Sequence, residues 1–109
     1  MTRHEVLLTA DAEADIEEIV EYLAQHDSPA AANRVLSRIS DAIDGLKSHS
    51  ERGSHPKELL ALGIREFRQV FFKPYRLIYR VEDRKRVFVY LIVDGRRDMQ
   101  TLLARRMLR

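Results

Sequence analysis

The chain has 109 residues, 45% of them hydrophobic and 33% charged, and no cysteine. That length supports one domain (residues 1–109) around a single modest core, and the composition is that of a folded chain rather than a disordered one. The absence of cysteine excludes disulfides, thiolate metal clusters and a cysteine nucleophile. Net charge is only +2, yet residues 1–64 carry 6 Lys/Arg against 12 Asp/Glu and residues 65–109 carry 13 against 5. A basic half of this kind faces nucleic acid, an acidic partner, or the acidic half of its own fold, and charge alone does not choose among them.

Residues 3–9, "RHEVLLT", fit a first strand. Its apolar run, Val6 to Leu8, is much shorter than the roughly 7–15 residues of a signal peptide or the about 20 of a membrane span. The expectation is a cytoplasmic protein with no membrane partner. Thr9 is placed to cap a helix over residues 10–25, with Asp11 and Glu13 in the first turn, where the helix dipole favours acids. Ala12, Ile16, Ile19, Val20 and Leu23 make its apolar stripe, and Glu17, Glu18 and Glu21 its solvated side. Ser28 and Pro29 then supply an N-cap and a first-turn proline for a second helix running to about Lys47. Its stripe is Ala32, Val35, Ile39, Ala42, Ile43 and Leu46. Two helices joined so closely pack as an antiparallel hairpin.

"SHSERGSHP" (48–56) is a polar loop, and a short "KELLALG" segment follows it. Three strand-like runs come next, at 64–72, 74–82 and 86–93, with "DRK" (83–85) as the turn between the last two. In the middle run Tyr75, Leu77, Tyr79 and Val81 alternate with Arg76, Ile78, Arg80 and Glu82, which predicts one apolar and one mostly charged face. Residues 87–93 are all apolar, so both faces of that strand must be covered. The hairpin covers one. Asp98 caps a closing helix with Met99, Leu102, Leu103 and Met107 on its apolar side and Arg105, Arg106 and Arg109 at the end where cations are favoured; this helix, or a bound partner segment, is the candidate cover for the other. The order is β-α-α-β-β-β-α, an α+β domain.

"LLTADAEADIEEIVEYL" resembles the start of ParE toxins, whose first helix is built on A-x-x-D-(I/L)-x-x-I-x-x-Y; Ala12, Asp15, Ile16, Ile19 and Tyr22 fill that pattern. "PYRLIYRV", the apolar strand after it, "GRRD" and "LLARRML" resemble the C-terminal half of the ParE/RelE superfamily. The resemblance implies a helical hairpin on a small twisted antiparallel or mixed sheet, closed by a short C-terminal helix. It also implies the toxin of a bacterial toxin–antitoxin pair, able to arrest growth and, on a plasmid, to stabilise it. The implied partner is a ParD-like ribbon-helix-helix antitoxin, bound in a hetero-oligomer. ParE-like members inhibit DNA gyrase and trap it on cleaved DNA, whereas RelE-like members cleave mRNA on the ribosome.

Chemistry separates those branches. Attack by a 2′-hydroxyl needs a proton acceptor, a proton donor and cations for the developing phosphate charge. Arg76 and Arg97 match RelE-type positions, but arginine stays protonated and is a poor proton shuttle. The tyrosine of the RelE closing helix is replaced, nearest, by Leu103, and the lysine pair of the first C-terminal strand is missing, with only Arg65 and Arg68 there. Losing such groups costs on the order of 10²-fold each. No catalytic residue is therefore expected, and the mRNA endoribonuclease using Arg76 and Arg97 is the alternative. A non-toxic, antitoxin-binding relative is a further one.

Candidates for contact with the target or its DNA are Arg65, Arg68, Arg76, Arg80, Arg96 and Arg97, with pairing to Glu82 and Glu66 as the competing role for Arg76 and Arg80. Candidates for the antitoxin surface are Ile16, Ile19, Leu23, Val35, Ile39, Val89 and Leu91. His49 and His55 share a polar loop with no ligand constellation, so neither a metal nor any other cofactor is expected. Tyr75, Tyr79 and Tyr90 read as sheet packing rather than a base-stacking platform.

Overall fold

The computed structural model describes residues 4–83 and 85–108. Position 3 of the expected first strand, Arg84 of the "DRK" turn and Arg109 of the closing helix lie outside them. The elements are β1 (Glu5–Leu8), α1 (Ala10–His26), α2 (Pro29–Ser48), α3 (Lys57–Leu60), β2 (Phe67–Phe72), β3 (Tyr75–Val81), β4 (Arg86–Asp94) and α4 (Met99–Met107). The caps are those expected. The Thr9 hydroxyl accepts from the Ala12 N–H at 3.1 Å and that of Ser28 from Ala31 at 3.0 Å. The Asp98 carboxylate accepts from Thr101 at 3.2 Å, so each of these helix starts has one of its orphan donors satisfied. The short α3 is an addition to the expected order, since "KELL" is too brief to show a helical period.

The sheet runs β1-β4-β3-β2, with β1 parallel to β4 and the other pairs antiparallel. Its register shifts between Ile78↔Leu91 and Tyr79↔Val89, leaving Tyr90 as a bulge. That extra residue changes the phase of β4. Val87, Val89 and Ile92 face the hairpin, where they join Leu77, Tyr79, Ile39, Ala42 and Leu46. Leu91 and Val93 face the other way with Phe67 and Ile78, beneath Leu59 of α3 and Met99, Leu102 and Leu103 of α4. The closing helix is thus the second cover, assisted by α3.

This second cover corrects the expectation for β3. Tyr75, Arg76, Leu77, Ile78 and Tyr79 are all buried, so its middle has no solvated charged face. The outer edge of β2 is also occupied. Gln69 N–H donates to the Ser54 carbonyl at 2.7 Å, and the Tyr79 hydroxyl donates to Ser50 O at 2.7 Å while accepting from Gly53 N–H at 3.1 Å. The 50–54 loop lies so close that a Cβ on Gly53 would stand 2.5 Å from the Gln69 carbonyl oxygen.

Candidate functional site

Arg76 leaves β3 on the α3/α4 side, and its side chain is only 7% exposed. Its guanidinium makes two parallel bonds to Glu58 of α3, Nη1 to Oε2 and Nη2 to Oε1, each 2.9 Å. Nε donates to the Gln69 side-chain oxygen at 3.0 Å, and Nη2 donates to the same atom. This fork-to-fork geometry is the one arginine uses for carboxylates and phosphates alike. Here a carboxylate of the same chain fills it. The Arg76 hydrogen bonds hold the Glu58 carboxyl below its ordinary value, against the opposing effect of burial. Arg76 therefore belongs to the clasp that fastens α3 to the sheet, not to a phosphate-facing surface, and its partner is neither Glu82 nor Glu66. Sequence reasoning missed Glu58 and Gln69 because the pairs are 18 and 7 residues apart, with no periodic signal.

Leu103, the position nearest the RelE-type tyrosine, is fully buried in the α3/α4 core. The other arginines divide by partner. Arg68 donates to the Gly53 and Glu51 carbonyls at 2.8 and 3.3 Å, steadying the loop. Arg80 lies 3.8 Å from Glu82, the pairing that competes with a target-facing role for it. Arg96 is held by Asp94, with Nε–Oδ1 3.0 Å and Nη2–Oδ2 2.6 Å, and that contact pulls the Asp94 carboxyl downward. Arg65 and Arg97 are exposed, with no side-chain hydrogen bond or ion pair among the described residues. His55 Nδ1 contacts the Phe67 carbonyl at 3.0 Å, and His49 is exposed.

A second clasp closes the opposite side of the sheet. β1 ends at Leu8, opposite Val89, so β4 beyond it has no neighbouring strand on that edge. Side chains take over there. Asp15 accepts from Ile92 N–H at 3.1 Å, and Arg106 of α4 donates to the Tyr90 carbonyl at 3.1 Å. The two side chains are joined by bonds of 3.1 and 3.0 Å. Asp15 stands in the A-x-x-D helix pattern, but nothing in the sequence reveals Arg106, 91 residues away, as its partner.

Next to this clasp lies a concavity of about 700 Å³, between α1 and the corner joining β4 to α4. Ile19, Tyr22 and Leu23 line it from α1, Tyr75, Ile92 and Val93 from the sheet, and Glu18, Glu21, Asp94, Arg96 and Arg97 contribute charge. Tyr22 is 62% exposed and its ring centroid sits 4.5 Å from that of His26. The structure thus brings Ile19 and Leu23 together with Arg96 and Arg97. It separates them from Ile39, Val89 and Leu91, which are fully buried in the two cores and so are corrected as antitoxin contacts. Ile16 and Val35 are half-buried against the hairpin-side core.

The fold has counterparts among known proteins. A chain of the chromosomal ParDE toxin–antitoxin system from P. aeruginosa superposes with a TM-score of 0.69 at 17% identity, covering 84% of this chain and 96% of that one. A chain of the RelBE2 toxin–antitoxin complex from Mycobacterium tuberculosis gives 0.63 at 18% identity, covering 85% and 99%. Comparison with curated proteins gives no significant match. The model of the ParE toxin of type II toxin–antitoxin systems matches residues 6–99, and the chain belongs to that family.

Proposed function

We propose that this toxin acts by binding DNA gyrase and trapping it on cleaved DNA, with no chemical step of its own. In the cell it is held inactive by a ParD-like ribbon-helix-helix antitoxin in the cytoplasm. The observation that carries this reading is the state of Arg76. One of the two arginines a RelE-type nuclease would use is buried and already bonded to Glu58 and Gln69. The position nearest that nuclease's tyrosine is a buried leucine, Leu103. What remains exposed at the matching edge is Arg97, a cation without a proton-transfer partner, suited to docking rather than to acid–base work. Purified toxin added to gyrase and relaxed plasmid is expected to block supercoiling and to accumulate linear DNA. Unaffected gyrase together with discrete mRNA cuts on translating ribosomes would overturn this reading in favour of the nuclease.

A further inference from the structure

Phe71 of β2 is 62% exposed, yet its ring is held in place. Arg76 Cζ stands over it, 5.5 Å from the centroid, and that guanidinium is fixed by its bonds to Glu58 and Gln69. A cation against one face draws the ring's π density toward itself. The open face is then a poorer seat for a lysine or arginine and a better one for an electron-rich ring. Glu58 offsets part of that bias.

Beside the ring a shallow concavity of about 420 Å³ follows the outer edge of β2, lined by Arg52, Ser54, Gln69 and Val70 among others. Gln69 N–H points out of the edge to Ser54, so by antiparallel alternation the next outward backbone pair is that of Phe71. It offers a donor and an acceptor where the cover of the 50–54 loop ends. Arg52 is the one charged residue in the lining. Arg68 stands at the Gly53 carbonyl, and Lys73 is exposed two residues beyond Phe71. Of the nearby carboxylates, Glu58 is taken by Arg76, and Glu51 lines a separate concavity with His4 and Asp83. Three cations thus stand here against Glu51.

A flat π-face, an edge donor and acceptor, and an excess of cations match one unit of a single nucleic-acid strand. Its base stacks on the ring and its phosphates meet the cations, a combination that tolerates any sequence. A duplex keeps its base faces hidden in its own stack, and an acidic peptide leaves the ring without a matching plane. We propose that Phe71, with Arg52 and Lys73, forms a stacking platform for single-stranded DNA. The source of that strand rests on the gyrase reading: it is the DNA opened at the trapped break.

The test is fluorescence anisotropy of a short labelled single-stranded DNA titrated with full-length toxin. Wild type is expected to bind the single strand more tightly than its duplex, and less tightly as salt rises. Phe71→Ala is expected to weaken binding about tenfold, with Phe71→Trp restoring it, and Arg52→Glu/Lys73→Glu to weaken it similarly. Tyr22→Ala removes an equally exposed ring from α1, and Arg34→Glu/Arg105→Glu makes the same charge change on exposed helix positions. Both are expected to stay within about twofold, and unchanged melting temperatures will show that the variants fold. Equal losses in platform and control variants, tighter binding of the duplex, or displacement of the strand by polyglutamate at equal charge overturns the proposal. So does absence of binding by wild type. The gyrase reading fails separately: gyrase unaffected by wild-type toxin that still binds the strand through Phe71 overturns that reading and supports the platform.

Discussion

Glu58 decides what Arg76 can do. A buried arginine stripped of its carboxylate is left as an uncompensated charge, and breaking such a pair costs about 3 kcal/mol or more. Glu58→Gln is therefore expected to lower stability by that order in chemical denaturation. The pair also sets a pH dependence. The folded Glu58 carboxyl is depressed, chiefly by the Arg76 hydrogen bonds, so its contribution is present above the unfolded value of about 4.3 and fades as pH falls through the lower folded value. Melting temperature against pH is expected to drop below about pH 4 in wild type, and this component is expected to be missing in Glu58→Gln. Gly53 makes a second residue-scale test. Its Cβ would meet Gln69 O at 2.5 Å and the Tyr79 hydroxyl at 2.6 Å, neither of which can retreat without breaking the loop's hydrogen bonds. Gly53→Ala is expected to cost about 2 kcal/mol or more, whereas an alanine at a tolerant surface site changes stability by less than about 0.5 kcal/mol.

Among the elements, α4 does more than shield the sheet. Its apolar side completes the second core, and Arg106 reaches past the end of β1 to the exposed edge of β4. An open strand edge is a template for pairing with other chains, and blocking it with charged side chains is a recognised solution. Asp15→Asn keeps an acceptor for the Ile92 N–H but removes the charge that holds Arg106. It is expected to speed amide hydrogen exchange in α4 and at Ile92, with the interior of α2 unchanged. The elements themselves were largely legible in the residues, because Thr9, Ser28 and Asp98 cap in the way their side chains favour and the hairpin stripes have a clear period. The faces of the strands were not. An unbroken apolar run hides a bulge, so the phase change at Tyr90 leaves no mark, and with it the inward direction of Val89 and Leu91. Nor does local pattern show that a four-residue helix will bury Arg76, since that depends on a contact across 18 residues. Of the candidate site, Arg96, Arg97, Ile19 and Leu23 were found from sequence, while their convergence on one groove is a property of the tertiary fold.

The molecule as a whole separates its two kinds of arginine. Arg68, Arg76 and Arg106 are spent inside, on a loop, a helix and a strand edge. Arg65 and Arg97 remain outside with no side-chain hydrogen bond or ion pair among the described residues, although the charge of Arg97 helps to lower the Asp94 carboxyl. Part of the charge asymmetry between the halves of the chain is thus absorbed internally, where Asp15 and Glu58 from the acidic half meet Arg106 and Arg76 from the basic half. A cationic composition of this kind is no guide to a nucleic-acid surface. On the function proposed here, the toxin works by binding gyrase and not by cutting RNA. Induction of the toxin in a bacterial cell tests it most directly, with the DNA-damage response and the rate of protein synthesis followed in the same culture. Filamentation and a damage response are expected while translation continues. Immediate arrest of translation with cleaved mRNA and no damage response would contradict it.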